Sequence, residues 1–166
     1  MQPLDPERLV TALSVHGVRY VLIGAVAARL YGFPRMTADA DITPERGVEN
    51  LERLAAALRD LDAKLFTESL PDGLAFDVSA RTLARSESWN LVTAAGRLDL
   101  VFAPAGTGGY ADLAPNAVHF RVFGADVWVA RLEDILRSKE AADRPQDRQD
   151  AIVIREMLRR ESGGGA

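Results

Sequence analysis

Apolar residues recur at helical spacing in several segments of the chain. The clearest stripe predicts an amphipathic helix over residues 47–62 and is formed by Val48, Leu51, Leu54, Leu58 and Leu61. Gly and Pro residues at the ends of the other periodic segments mark where helices begin and end. These signals predict further helices over residues 5–16, 25–32, 131–142 and 146–160, with Asp5 as the N-cap of the first.

Alternating and β-branched runs between these helices predict strands. The segments VRYVLIG (18–24) and TADADI (37–42) are each predicted as one strand. Two longer runs are predicted as β-hairpins, one turning at residues 94–96 and the other at Gly124. This order of helices and strands is typical of an α+β fold in which helices pack on a mixed β-sheet.

Three stretches carry weaker signals. Residues 63–86 are ambiguous, and we expect short strands there with a loop around Pro71–Gly73. The segment APAGTGGY (103–110) is rich in Gly and is predicted as a loop. No linker or repeat interrupts the chain, which predicts a single domain over residues 1–161 followed by a flexible tail over 162–166.

Composition restricts the classes of function. The 166 residues are 48% hydrophobic and 27% charged, and the absence of cysteine excludes disulfides, thiolate metal sites and cysteine nucleophiles. The longest apolar run, Tyr20–Ala28, is about half a membrane span, and the N-terminus lacks the pattern of a secretory signal. We therefore expect a cytoplasmic protein with no membrane partner. The net charge of −4 provides no overall basic footprint for nucleic acid.

The segment GAVAARLYGFPRMTADADI concentrates the polar chemistry of the chain. Gly24 stands where a strand passes into a helix, a position at which backbone N–H groups favour a phosphate. On the strand that follows, side chains alternate between the two faces, so Thr37, Asp39 and Asp41 share one face. Small and apolar residues share the other face. Two carboxylates are thus predicted side by side, away from the core.

A second strand, RLDLVF, repeats this arrangement. Arg97 and Asp99 share one face, and apolar residues occupy the other. Because aspartate is depleted in strands, two strands that carry it away from their apolar sides need an explanation. If both strands belong to one sheet with their apolar faces on the same side, Asp39, Asp41 and Asp99 converge.

Convergence of three carboxylates predicts a cation site. At a separation of about 5 Å and an effective dielectric constant of about 20, each pair repels by roughly 3 kcal/mol. Divalent cations reverse the sign of this interaction, and hard oxygen ligands favour Mg²⁺ or Mn²⁺ over Zn²⁺. The alternative is that Asp-x-Asp is a chance pair on a solvated strand or loop.

The order of strand, Gly, helix, Asp-x-Asp strand and later Asp strand resembles the DNA polymerase beta-like nucleotidyltransferases. The matching residues are Gly24, Ala25, Asp39, Asp41 and Asp99. Arg35 and Thr37 ahead of the acids, and the ending RLEDILRSKEAADRPQDRQD, are most similar to the small bacterial branch of this superfamily. That branch contains minimal nucleotidyltransferases and the toxins of abortive-infection toxin–antitoxin pairs.

The resemblance implies a nucleotidyltransferase-like mixed sheet with the acids in one edge region, packed by helices 47–62 and 131–160. It also implies transfer of a nucleoside monophosphate from an NTP to an acceptor hydroxyl. RNA or protein is the preferred acceptor, and a small molecule is the third candidate. Asp39, Asp41 and Asp99 would be catalytic and would hold Mg²⁺ (or Mn²⁺), with Asp99 as the general base. The nucleotide would be bound by Gly24, Ala25, Arg35, Thr37 and Lys139. A cognate antitoxin or a second copy of the chain is the expected protein partner.

Ala25 departs from the resemblance, because the superfamily commonly has Gly or Ser at this position. A Ser hydroxyl can contact a triphosphate, whereas Ala offers only its backbone N–H. The alternative hypothesis is therefore a non-catalytic nucleotidyltransferase-like protein that acts as a binding or antitoxin subunit.

Several candidate residues have simpler interpretations. Lys139 continues the apolar stripe of its helix, so its ammonium group could reach a phosphate or end in solvent. Arg35 could clamp a phosphate or be exposed in its loop. Asp147 and Asp150 are predicted to cap and pair within the last two helices.

The remaining polar and aromatic residues add little. The two histidines lack the spacing of a Ser–His–Asp hydrolase and the sequence lacks its nucleophile elbow, which argues against that class. Trp89, Trp128 and Tyr110 are predicted as core or rim aromatics rather than as a platform for bases. Residues 131–160 hold eight Lys and Arg against seven Asp and Glu, a small basic excess for an RNA acceptor.

Overall fold

The computed structural model describes residues 2–164, which form seven α-helices and eight β-strands. The helices are α1 (Pro6–Val15), α2 (Gly24–Leu30), α3 (Val48–Asp60), α4 (Ala80–Leu83), α5 (Tyr110–Leu113), α6 (Leu132–Ala142) and α7 (Pro145–Gly163). The strands are β1 (Tyr20–Ile23), β2 (Asp39–Pro44), β3 (Lys64–Thr67), β4 (Leu70–Leu74), β5 (Ser88–Thr93), β6 (Gly96–Val101), β7 (Val118–Val122) and β8 (Ala125–Val129). A short 3₁₀ turn covers Ala114–Asn116.

These strands form one mixed sheet, in the order β4-β3-β5-β6-β2-β1-β8-β7. β2 runs parallel to β6 and β1 runs parallel to β8, whereas the other neighbouring pairs are antiparallel. The sheet and the helices packed on it confirm the predicted α+β class. The expectation that the acids lie in one edge region is wrong, because β2 and β6 are the two central strands.

One face of the central strands is built into the hydrophobic core. Ala40 and Ile42 of β2, and Leu98 and Leu100 of β6, are buried in the same apolar cluster as the leucines of α3. Of the predicted α3 stripe only Val48 is exposed. The opposite face of the two strands carries the acids, as expected from alternation. The packing that fixes the sheet therefore also fixes the direction of the carboxylates.

Several strand boundaries differ from the sequence prediction. β1 covers Tyr20–Ile23 instead of residues 18–24, because Gly24 begins α2. β2 begins at Asp39, so Thr37 precedes the strand instead of lying on it. Leu70–Leu74 is a strand rather than a loop, and the chain turns at residues 68–69. Pro71 is tolerated within β4 because an edge strand has one side on which a missing N–H breaks no ladder.

Helix boundaries differ as well. α7 begins at Pro145, a first helical position at which the missing N–H has no partner to lose. It continues to Gly163, into the predicted tail, and residues 165–166 lie outside the described range. The Gly-rich loop ends one residue earlier than predicted, because Tyr110 is the first residue of α5. Within residues 2–164 no helix has the length and apolarity needed to cross a membrane.

Asn50, in the first turn of α3, joins this helix to β1 and β2. Its fully buried side chain accepts a hydrogen bond from the backbone N–H of Arg19 at 2.7 Å. Its amide nitrogen donates to the carbonyls of Arg19 and Glu45 at 2.9 and 2.8 Å. Arg19 directly precedes β1 and Glu45 directly follows β2. The side chain of Asn50 therefore holds the beginning of β1 and the end of β2 against the helix.

Asn50→Ala is expected to lower the free energy of unfolding by about 2–4 kcal/mol, because three hydrogen bonds are lost and buried polar groups stay unpaired. Urea denaturation measures this change. Glu52→Ala, at an exposed position of the same helix, is the matched control and should change stability by less than about 0.5 kcal/mol. Equal effects of the two substitutions would contradict the role of Asn50.

Candidate active site

Three carboxylates lie together on one face of β2 and β6. The parallel register sets Asp41 beside Asp99, and it sets Asp39 beside Arg97. One oxygen from each of the three aspartates lies within 4.8 Å of the other two. The sheet thus brings together acids that are far apart in the chain and that alternation puts on the same face of their strands.

Burial and mutual repulsion disfavour the ionisation of two of these carboxyls. Burial raises the pKa of Asp41 to about 7, and the negative charges of Asp99 and Asp39 add to the rise. Burial also raises the pKa of Asp99 to about 6, although the Arg97 guanidinium opposes it. In the absence of a cation the site therefore keeps part of its protons near neutral pH, and a bound cation would stabilise the ionised carboxylates instead.

The carboxylates fit a divalent cation bound through oxygen. Oδ1 of Asp99 is buried and accepts no hydrogen bond from any residue in the described range. Nη2 of Arg97 lies 3.5 Å from it, too far for a good hydrogen bond. A buried oxygen without a donor, next to two further carboxylates, suits a divalent cation that prefers oxygen ligands.

Gly24 lies against Asp41 in a conformation that favours glycine. Its φ is +71°, in the left-handed region. A Cβ at this position would overlap Oδ2 of Asp41. The glycine at the junction of β1 and α2 is therefore explained by the close approach of the carboxylate. Ala25 follows it in the first turn of α2 and is buried.

The loop between α2 and β2 brings Arg35 and Thr37 to the same region. Oγ1 of Thr37 donates a hydrogen bond to Oδ1 of Asp39 at 2.9 Å. Arg35 donates from Nε and Nη2 to the two carboxylate oxygens of Asp150, at 2.9 and 2.7 Å. Arg35 is thus fixed by a bidentate ion pair, although about a third of its side chain stays exposed.

Lys139 is held by two buried carboxylates where α6 and α7 meet. Its Nζ lies 2.8 Å from Oδ2 of Asp150 and 3.5 Å from Oδ1 of Asp147. Burial favours the neutral form of Asp150, but hydrogen bonds from Arg35, Lys139 and Gln146 prevail and lower its pKa to about 2. Asp150 is therefore a stable anion that joins three elements.

The prediction that Asp147 and Asp150 pair within the last two helices is incomplete. Asp147 does cap α7, since it accepts from the backbone N–H and Nε of Arg144. Asp150 also reaches out of these helices to Arg35, which lies 115 positions earlier in the chain. No local pattern in the sequence points to such a long-range pair, so sequence analysis missed it.

A cavity of about 640 Å³ opens over the carboxylates, within the usual range for small-molecule sites. The predicted site residues that line it are Gly24, Ala25, Arg35, Thr37, Asp39, Asp41, Asp99 and Lys139. Further lining residues that sequence analysis did not name include Ser88, Asn90, Ser138, Arg144 and Gln146. The alternation of Ser88 and Asn90 on β5, which pairs with β6, is a signal that could have found the first two.

The histidines and the larger aromatic residues lie elsewhere. Neither His16 nor His119 lines the cavity. Trp89 and Tyr110 pack partly buried against the core, and Trp128 is exposed on the β7–β8 hairpin. These positions agree with the interpretation of the three aromatic residues as core or rim.

No protein-family model and no curated protein sequence matches the chain. Among solved structures, the fold is similar to the crystal structure of the lincosamide antibiotic adenylyltransferase LnuA bound to lincomycin, with a TM-score of 0.59 and 14% sequence identity. The similarity covers 94% of this chain and 99% of that chain. The chain has a nucleotidyltransferase-like fold. At this level of identity the likeness is one of backbone architecture.

The raised pKa of Asp41 should lower the free energy of unfolding of the metal-free protein as pH rises from 5 to 8. An unfolded Asp loses its proton near pH 4, whereas native Asp41 keeps it to about pH 7. The native state then binds more protons, so the free energy of unfolding falls with rising pH, by about 1.4 kcal/mol per unit of pKa difference. Urea denaturation in EDTA should show this fall to be smaller in Asp41→Asn.

Asp72→Asn is the matched control for this measurement. Asp72 lies exposed on the edge strand β4, away from the three carboxylates. Its replacement should leave the wild-type dependence on pH unchanged. The same decline in the wild type and in Asp41→Asn would refute the assigned effect of Asp41.

Proposed function

We propose that the chain is a metal-dependent nucleotidyltransferase, which moves a nucleoside monophosphate from an NTP to an acceptor hydroxyl. The observation that carries the proposal is the convergence of three carboxylates in one cavity with Arg35 and Lys139. Carboxylates suit the cations that accompany a triphosphate, and the basic groups suit its phosphates. The nucleotidyltransferase-like fold supports the proposal as a likeness of architecture.

In this proposal the triphosphate lies between the start of α2 and the closing helices. The backbone N–H groups of Gly24 and Ala25 donate to phosphate oxygens, and Arg35 and Lys139 provide positive charge. Thr37 orients Asp39 through its hydrogen bond. The missing hydroxyl at Ala25 removes one donor but leaves these contacts intact.

Asp39 and Asp41 would hold the metal ions, and Asp99 would complete the ligand set on the acceptor side. Divalent ions at such a site stabilise both the attacking and the leaving oxygen of an in-line displacement. The buried Oδ1 of Asp99, which accepts no hydrogen bond from residues 2–164, is the structural reason to include this residue among the ligands.

Asp99 is the proposed general base. Its carboxylate takes the proton of the acceptor hydroxyl while the acceptor oxygen forms a bond to the α-phosphorus. The bond between the α-phosphorus and the bridging oxygen breaks, and pyrophosphate leaves with the electron pair. The chain thus supplies the orientation of both reactants and the proton acceptor.

Asp39→Asn should reduce pyrophosphate release by at least about 100-fold, because loss of one charged ligand removes stabilisation of the transition state. Circular dichroism and thermal unfolding should show that the variant is folded. Asp72→Asn, on the exposed edge strand, should release pyrophosphate at the wild-type rate. Unchanged release from a folded Asp39→Asn protein would overturn the proposed chemistry.

The second candidate is the non-catalytic binding or antitoxin subunit, which the absence of a hydroxyl at Ala25 favours. Thermal unfolding with Mg²⁺ and each NTP separates the two candidates. A nucleotide at about 100 times its Kd adds roughly 2.7 kcal/mol of stability. Stabilisation together with pyrophosphate release supports the enzyme, whereas no stabilisation by any NTP supports the binding subunit.

The acceptor that the family resemblance indicates is a hydroxyl of RNA or protein, as in a toxin of a toxin–antitoxin pair. All eight Lys and Arg residues of residues 131–160 form ion pairs, so this region offers no free basic track. A hydroxyl of a small molecule is the other candidate. It is favoured by the cavity volume and by the fold likeness to LnuA, whose structure holds lincomycin.

Incubation of the protein with α-labelled NTPs, Mg²⁺ and a mixed cell lysate identifies the acceptor class. The proposal of a macromolecular acceptor expects label in RNA or in a protein band, and it expects no label with Asp39→Asn. Label only in the small-molecule fraction would refute a macromolecular acceptor and support the other candidate.

A further inference from the structure

Asp150 is a buried carboxylate at the centre of a cluster that the proposed chemistry does not use directly. Its side chain is 2% exposed. It accepts two hydrogen bonds from Arg35, at 2.9 and 2.7 Å, and one from Nζ of Lys139 at 2.8 Å. Nε2 of Gln146 donates a further hydrogen bond at 2.9 Å. We call Asp150 and these three donors the Asp150 clasp.

The clasp joins three separate parts of the chain. Arg35 comes from the loop between α2 and β2, Lys139 from α6, and Gln146 from α7. The same loop continues through Thr37, which hydrogen-bonds to the carboxylate of Asp39. The position of the last helix is therefore coupled through a few side chains to the loop that enters the acidic strand.

The two cations of the clasp keep donors for a ligand. Arg35 binds Asp150 through Nε and Nη2, so Nη1 and its two hydrogens are not used by the carboxylate. Lys139 has three N–H donors, one of which bonds to Asp150 and a second of which faces Asp147 at the longer distance of 3.5 Å. Both residues line the cavity over the carboxylates.

Asp150 restricts the rotamers of both Arg35 and Lys139 through its hydrogen bonds. Arg and Lys side chains have many rotamers and lose much conformational entropy when they are fixed. A buried anion that holds both in place removes this entropic cost from the binding of a triphosphate. Loss of the negative charge of Asp150 would also make the electrostatic potential of the cavity more positive. This second effect would strengthen the binding of a triphosphate and so opposes the first. Asp147 remains beside Lys139 and limits that increase.

We infer that Asp150 is a positioning residue that orders Arg35 and Lys139 for the triphosphate of the nucleotide substrate. The inference rests on the proposed function, because it takes the cavity to be the nucleotide site. It goes beyond that proposal in assigning nucleotide affinity to a residue that does not itself contact the nucleotide.

The test compares Asp150→Asn with Asp143→Asn in the full chain. Asp143 is an exposed partner of Arg148 in a left-handed conformation that Asn tolerates, and it does not line the cavity. Calorimetry with Mg²⁺ and the α,β-methylene analogues of the four NTPs measures Kd without turnover. Hydrogen exchange of residues 33–38 measures the order of the loop without any nucleotide.

Asp150→Asn should weaken binding of the preferred analogue by about tenfold, the effect expected from loss of a charged hydrogen-bond acceptor. It should also speed exchange of residues 33–38, whereas Asp143→Asn changes neither. With turnover substrates the KM for the NTP should rise by a similar factor, and kcat should change by less than about threefold. Asp150→Glu, which keeps the charge, should recover part of the affinity.

Equal or tighter binding by Asp150→Asn, or unchanged exchange of residues 33–38, overturns the inference. Weakened binding in a protein that releases no pyrophosphate leaves the inference standing and overturns the proposed transfer instead. A wild type that binds none of the analogues overturns both. If Asp150→Asn does not fold, Arg35→Met opens the clasp from its exposed side, and unchanged exchange of residues 33–38 in that variant also overturns the inference.

Discussion

The repulsion among three carboxylates on the two central strands is the constraint on which the rest of the site depends. Asp39, Asp41 and Asp99 meet because β2 and β6 are parallel neighbours in register. Each of these strands is paired on both sides, so backbone hydrogen bonds fix the separation of the acids and the side chains cannot move apart freely. The absence of a side chain at Gly24 leaves room for Asp41, and Arg97 offsets part of the charge on Asp99.

The positive charge of the site comes from a different part of the fold. The sheet supplies the acids, whereas the closing helices and the loop before β2 supply the basic groups. Within the closing helices these basic groups are matched by acids, as in the pairing of Arg144 with Asp147. The carboxylates on the sheet, which favour cations, therefore lie on one side of the cavity. The basic groups lie on the other side, where buried anions hold them in fixed positions. This distribution of charge is complementary to that of a metal–triphosphate complex, in which cations lie beside anionic phosphates.

Local signals in the sequence predicted a large part of the fold. Asp5 caps α1 by accepting from the N–H of Arg8 at 3.0 Å, and the second hairpin turns at Gly124. Alternation on the two strands predicted which face carries the acids. These features depend on residues a few positions apart, so their physics is contained in short segments of the chain.

Features that depend on distant residues could not be predicted in the same way. The order of strands in the sheet is set by the packing of the whole core. The sequence alone therefore predicted the acids in an edge region of the sheet, whereas they lie on its central strands. Pro71 indicated a loop because the edge position of β4 was unknown. Arg35 and Asp150 are 115 positions apart, so no periodic pattern in the sequence indicates that they pair. For Lys139, the helical pattern gave the face of the helix but not the partners.

The position of the acids also has a consequence for how the sheet assembles. Side chains alternate along β2, so a shift of one residue in its pairing with β6 would turn Asp39 and Asp41 into the apolar core and Ala40 and Ile42 out of it. Burial of unpaired charge is far more costly than burial of a neutral polar group, so mispaired sheets are strongly disfavoured. The carboxylates that repel one another in the folded site therefore also favour the correct strand register while the chain folds.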